Sequence, residues 1–173
     1  MVRPVAVLIG PPGAGKSTVG RALAKRLGTS FRDTDEVVED TEGRAIADIF
    51  VEEGEGRFRD LERAAVARAL AEEPGVVAVG GGAPMDERTA SALTGHTVVL
   101  LEVGIADAAR RVGFDRSRPL LAINPRASWV ALLAQRRPTY ERLAVHIVST
   151  VRRTPEDVAE EIAGLLAGGE NGD

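Results

Sequence analysis

The sequence predicts an α/β fold, a three-layer α/β/α arrangement around a five-stranded parallel sheet, and three observations carry that expectation. The first is the unbroken aliphatic run Pro4-Val5-Ala6-Val7-Leu8-Ile9, the pattern of a parallel strand buried on both faces. The second is the glycine-rich turn Gly10 to Gly15, which leads into helical periodicity from Lys16 to Leu27 and a stop at Gly28. The third is an alternation that continues down the chain, with short apolar runs separated by amphipathic stretches.

Taken in order, strands are expected at Pro4–Ile9, Ser30–Arg32, Gly75–Val79, His96–Glu102 and Val145–Val148. Helices are expected at Lys16–Leu27, Ala45–Glu73, Ile105–Arg111, Arg126–Leu143 and Pro155–Leu166, with Pro138 kinking or ending the fourth of them. Residues 113–126 combine Gly, Pro, Ser, Asp and several Arg without periodicity, the profile of a mobile lid. The acidic, glycine-rich end, residues 168–173, reads as a disordered tail, leaving 1–167 as a single domain.

Composition narrows the function classes. Aromatics make up 3% of the chain, which leaves few rings for stacking on exposed bases, and the net charge of −4 disfavours a nucleic-acid backbone as partner. The absence of cysteine excludes disulfides, thiolate catalysis and Cys-based metal sites. Val5–Ile9 is too short for a signal-peptide core and no stretch has the apolar length to span a bilayer, so a cytoplasmic protein without membrane contact is expected.

The turn after the first strand, Gly10-Pro11-Pro12-Gly13-Ala14-Gly15-Lys16-Ser17, matches the phosphate-binding pattern G-x-x-x-x-G-K-[ST]. Its glycines let successive N–H groups curl inward, and the following helix adds its positive end. Lys16 supplies a cation for the β- and γ-phosphates of a nucleotide, and Ser17 a hydroxyl for Mg²⁺. GTPases, ATPases and small-molecule kinases share this loop, so other residues must define the acceptor.

Asp33 and Asp35 follow the second expected strand; i and i+2 on an extended segment would turn both carboxylates into the crevice, one toward the Mg²⁺ shell and the other toward a substrate hydroxyl. The alternative is an acidic turn into a helix with Asp35 as its N-cap. Arg59 and Glu62 lie one helical turn apart after Phe58, and Gly80-Gly81-Gly82 directly follows a strand, where missing side chains let a ligand reach backbone N–H groups. Arg116 and Arg118 sit in the expected lid, and Arg136 opens the run Arg136-Arg137-Pro138-x-Tyr140. Arginine's planar fork suits phosphate and carboxylate alike.

In sequence, these pieces resemble the shikimate kinases, P-loop enzymes of the nucleoside-monophosphate-kinase-like fold. The likeness spans about Val5 to Leu166 and rests on Gly10–Ser17, Asp33-Thr34-Asp35, Gly43-Arg44-x-Ile46-x-Asp48-Ile49-Phe50, Phe58/Arg59/Glu62, Gly80–Ala83, Arg118-Pro119-Leu120-Leu121 and Arg136-x-Pro138-x-Tyr140. It implies transfer of the ATP γ-phosphoryl to the 3-hydroxyl of shikimate in aromatic amino acid biosynthesis, with Mg²⁺ as cofactor and a monomer as the working unit. By position, Asp35 would bind the acceptor hydroxyls, and Arg59 and Arg136 would clamp the carboxylate. Gly80, Gly81 and Gly82 would line the pocket, with Phe50 and Phe58 packed around the ring. Lys16 and Arg118 would balance charge on the transferred group, completing a catalytic set with Asp35. Gly13, Ala14, Gly15, Lys16, Ser17, Thr18, Arg111, Arg118, Arg153 and Pro155 would bind ATP, with Arg111 and Pro155 sandwiching adenine. Ser17 would ligate Mg²⁺ and Asp33 would hold its water shell. Ala83-Pro84 and the run Ala122-Ile123-Asn124-Pro125 depart from the family pattern. A kinase for another hydroxy acid such as gluconate, or a nucleotide-dependent regulatory module, would share the loop but has no need of the whole acceptor set.

Overall fold

The computed structural model describes residues 2–104, 106–108 and 125–170. Arg111, Phe114, Arg116, Arg118 and the expected lid up to residue 124 lie outside them.

Five parallel strands form one sheet in the order β2-β3-β1-β4-β5: β1 Ala6–Ile9, β2 Phe31–Asp33, β3 Val76–Ala78, β4 Val98–Glu102 and β5 His146–Ser149. The aliphatic run of β1 is explained by its central place. Ala6 and Leu8 pack on one side of the sheet with Val19 and Leu23 of α1 (Lys16–Leu27) and Val158 and Ile162 of the C-terminal helix. Val7 and Ile9 pack on the other with Val66, Ala69 and Leu70. A strand covered on both faces has no position for a polar side chain. Because the strand order reverses beside β1, the crevice outside the carboxyl ends of β1 and β3 is where such a sheet holds ligands.

The helices differ from the sequence expectation in instructive ways. Between β2 and the long helix lies α2, Thr34–Glu42, whose N-cap is Asp33 rather than Asp35. Asp33 Oδ1 accepts from the N–H groups of Asp35 (2.8 Å) and Glu36 (3.4 Å), so Asp33 ends the strand and Asp35 sits in the first helical turn. The two carboxylates therefore do not share one face of an extended segment. Helix α3 spans Ile46–Glu72 but is broken at Gly54, with φ 85° and ψ 171°. Only glycine adopts that conformation without strain, and its Cβ would meet nothing within 4 Å, so the backbone alone calls for glycine there.

A short helix that periodicity did not predict, α4 (Glu87–Leu93), follows a 3-10 turn at Ala83–Met85. Its cap, Asp86, accepts from the N–H groups of Arg88 and Thr89 and from the Arg63 guanidinium at 2.5 and 3.0 Å, which holds its pKa down to about 2. A carboxyl depressed in the fold adds stability above its ordinary pKa and loses it as pH falls toward the folded value. Asp86→Ala is accordingly expected to cost about 1 kcal/mol near neutral pH through the lost cap. It should also flatten the decline in urea stability between about pH 4 and pH 2. An unchanged acid profile would remove Asp86 as its source.

Helix α5 runs Pro125–Leu143 through Pro138 without ending there. Tyr140, fully buried and bonded to the Gly81 carbonyl, anchors the segment beyond the proline and offsets the lost helical bond. Residues 125 and 126, placed in the lid by composition, are the first of this helix. Helix α6 covers Pro155–Glu170, so residues 168–170 extend a helix rather than belonging to a tail. Among the described residues no helix is long and apolar enough to cross a membrane.

Candidate active site

Lys16 opens α1 directly after the loop, and Gly15, its N-cap, carries no side-chain cap, so the helix presents its positive end to the loop. The Lys16 ammonium donates to the carbonyls of Gly10 (2.8 Å) and Pro11 (3.2 Å), folding back over the loop. The Ser17 hydroxyl donates to Asp33 Oδ2 in a short contact. One carboxylate thus caps α2 with one oxygen and meets the loop serine with the other, tying β2 to the phosphate cradle. Among the described residues, no three acidic or histidine side chains gather as a metal cluster. A hydroxyl beside one carboxylate instead fits Mg²⁺, which keeps several waters and takes its remaining ligands from nucleotide phosphates.

Beside the loop opens a cleft of about 400 Å³. Its lining brings Asp33, Asp35, Glu36 and Glu39 together with Arg59, Glu62 and Arg136 over a floor of Gly80, Gly81 and Gly82. Phe50, Phe58, Ile46 and Leu132 complete it, the two rings 5.0 Å apart. Every residue expected on the acceptor side therefore converges on one space, with Pro12 and Ser17 of the loop at its edge.

The glycines also make room for neighbouring side chains. A Cβ on Gly80 would lie 2.7 Å from both Asp35 Oδ1 and Glu62 Oε2, and one on Gly82 would lie 2.5 Å from the Arg59 guanidinium. The floor is bare because the functional side chains press against it. Gly80 N–H donates to the buried Thr34 hydroxyl at 3.3 Å, fixing the floor to the start of α2.

Arg59 donates to Glu62 at 2.7 Å and to Glu55 at 3.3 Å, with its guanidinium 5.2 Å from the Phe58 ring. Glu62 is 3% exposed, and burial pushes its carboxyl above the ordinary carboxylate range despite the opposing pull of Arg59 and Arg136. Arg136 is itself 7% exposed. Burial likewise raises Tyr140, whose hydroxyl donates to the Gly81 carbonyl at 2.5 Å.

Arg153 and Pro155 do not line this cleft. Arg153 donates to the Ser149 and Asp157 carbonyls and to Glu161, fastening the turn between β5 and α6, and Pro155 is the first residue of α6. Gly13, Ala14 and Thr18 lie in the loop and the first turn of α1.

Three contributors, Glu39, Thr34 and Trp129, escaped the sequence reading of the site, and a fourth was read only in part. Glu62 was visible as a partner of Arg59, but its burial was not. Glu39 accepts from the Ile46 N–H at 3.2 Å, joining α2 to α3. Thr34 was the unremarked middle of the Asp33–Asp35 motif. Trp129 donates from its indole to the Pro12 carbonyl at 2.9 Å, and its seven-residue spacing from Arg136 is the one signal that could have pointed to it.

A phosphate loop on the central strand, with a carboxylate- and arginine-lined cleft at the same sheet edge, defines a P-loop phosphotransferase of the nucleoside-monophosphate-kinase-like kind. Known proteins agree. The shikimate kinase family model matches residues 12–167. A shikimate kinase of Salinispora tropica is 60% identical over 94% of this chain and 98% of its own length. The structure of Acinetobacter baumannii shikimate kinase in complex with shikimate superposes with a TM-score of 0.94 at 34% identity, covering 99% of this chain and 96% of that one. A gluconokinase of Sinorhizobium meliloti, at 22% identity and a TM-score of 0.58 over 94% of this chain and 91% of its own, shares the fold alone. The chain belongs to the shikimate kinase family.

Proposed function

We propose that the protein transfers the γ-phosphoryl group of ATP to the 3-hydroxyl of shikimate, releasing ADP and shikimate 3-phosphate. The observation that carries this reading is the gathering in one cleft of an arginine pair, Arg59 and Arg136, and a carboxylate, Asp35, beside the phosphate loop. Shikimate has a carboxylate on one side of its ring and hydroxyls on the other, so a bidentate arginine clamp and a hydroxyl-binding carboxylate in one cleft suit it. Gluconate has a carboxylate too, but an open chain gives the Phe50–Phe58 pair no ring to pack against.

In the reaction, the substrate hydroxyl oxygen bonds to the γ-phosphorus as the bond to the β–γ bridging oxygen breaks. Asp35 orients that hydroxyl and takes its proton, late enough that no strong base is required. Lys16, with Arg118 by resemblance, balances charge on the transferring group. Ser17 would ligate Mg²⁺ and Asp33 would hold its water shell, and the ion would supply positive charge to offset that of the nucleotide phosphates. Gly13 to Thr18 would bind those phosphates, with Arg111, Arg153 and Pro155 around the base. The working unit is taken to be a monomer in the cytoplasm, where ATP is plentiful.

The test is ADP release by purified protein supplied with Mg-ATP and shikimate, gluconate or water. Release above the water control is expected with shikimate only. Its absence there, or a larger rate with gluconate, would overturn the assignment.

A further inference from the structure

Helix α5 reaches both halves of the site. Trp129, Arg136 and Tyr140 stand seven and then four residues apart, which places them on one helical face. Trp129 is buried in the core on one side of the sheet and Tyr140 in the core on the other, so the helix crosses over the carboxyl edge of the strands. Its polar groups divide the work along that span. The Trp129 indole N–H donates to the Pro12 carbonyl of the phosphate loop at 2.9 Å. Arg136 lines the acceptor cleft, and the Tyr140 hydroxyl donates to the Gly81 carbonyl of its floor. Pro12 is also a wall of the acceptor cleft, and a Cβ on Gly81 would come within 3.3 Å of its ring.

We propose that Trp129 is a positioning residue for the donor loop, and that α5 thereby holds the phosphate cradle and the carboxylate clamp at one separation. A buried tryptophan needs a partner for its N–H, and the chain's single tryptophan directs it at a loop peptide 117 residues away. An apolar ring at this position would fill the core but take the indole donor from the Pro12 carbonyl. More of the loop's ordering would then fall to the nucleotide itself, at the expense of nucleotide affinity. The inference rests on the reading of the loop as the nucleotide site and of the cleft as the acceptor site.

Calorimetric titration of wild type and Trp129→Phe with Mg-ADP, and separately with shikimate, tests it. Mg-ADP affinity is expected to weaken about fivefold, which converts to about 1 kcal/mol, the net worth of one hydrogen bond. Shikimate affinity should stay within about twofold. Because phenylalanine leaves a void, 3-benzothienylalanine at position 129 supplies the same shape without the N–H and should weaken Mg-ADP equally. The single indole N–H of the wild type should exchange slowly with solvent and shift in the NMR spectrum when Mg-ADP is added. Unchanged Mg-ADP affinity in both variants overturns the proposal. So does equal weakening toward both ligands, which marks a packing defect, and so does an indole N–H that exchanges as freely as in solution. Should Trp129→Phe fail to fold, the benzothienyl variant and the indole resonance decide. A wrong acceptor assignment shows separately, as wild type that does not bind shikimate while the Mg-ADP comparison stands.

Discussion

Replacing Lys16 with methionine is expected to lower kcat by about a thousandfold or more while leaving the thermal midpoint within a few degrees of wild type. Removing a single preorganised donor aimed at developing charge typically costs 10²–10³ in rate, and in phosphoryl transfer positioning and charge neutralisation supply nearly all the catalysis. Lys16 stands at the mouth of the loop with its ammonium on the Gly10 and Pro11 carbonyls, where it can swing to the phosphates. Methionine keeps the length and the helical propensity, so the fold has no reason to fail. Single-turnover rates with Mg-ATP and shikimate, alongside a melting curve, check both halves. A variant retaining a tenth of the wild-type rate would show that Lys16 does not balance the transferring charge.

Arg59→Leu is expected to fail in two separable ways. Glu62 is 3% exposed and bonded to Arg59 at 2.7 Å, so removing that arginine takes away its bonded partner and leaves the buried carboxylate only the pull of Arg136. Breaking a buried pair from one side typically costs about 3–5 kcal/mol. The protein can recover part of that by protonating Glu62, which burial already pushes upward. A carboxyl raised in the fold makes the folded state bind more protons than the unfolded chain, so stability falls as pH climbs from the ordinary carboxylate value to the folded one. Arg59→Leu should therefore be markedly more stable in mild acid than at pH 8. Adding Glu62→Gln should restore most of the stability and remove that pH dependence. Acceptor binding should not return, because the clamp is still missing, and the shikimate KM should remain about a hundredfold high in the double variant. Urea denaturation at pH 5 and 8 together with KM for both substrates reads these effects. A single variant as stable as wild type at pH 8 would mean that Arg59 does not neutralise Glu62.

Legibility differed by the kind of signal. The central strand and the loop were readable because each is local: an aliphatic run has one stable use in a parallel sheet, and glycines before Lys-Ser have a mechanical reason. The long connections were read less well. Helix α2 was legible only as an alternative because its nine residues, Thr34–Glu42, are mostly acidic, and its hydrophobic face is only Val38 with Val37 beside it. Beyond a strand expected to end at Arg32, either aspartate could open the next helix; the bonds from the N–H groups of Asp35 and Glu36 to the Asp33 carboxylate put the cap at Asp33, two residues before the alternative at Asp35. Pro138 suggested an end to α5 because local chemistry opposes a proline in a helix, and only the burial of Tyr140 shows why the helix continues.

What the sequence by itself determined is the sheet with its phosphate loop, and the set of residue types suited to a carboxylated, hydroxylated acceptor. These follow from periodicity and motif spacing, which act over a few neighbouring residues. Tertiary structure alone decided how Asp35, Arg59, Glu62 and Arg136, drawn from three helices, meet over Gly80–Gly82, and that a side chain at Gly80 or Gly82 would displace them. It alone showed Glu62 buried and Trp129 bonded to the loop. Burial and bonds between residues over a hundred positions apart depend on how helices cross the sheet edge, and no local pattern in the chain encodes that.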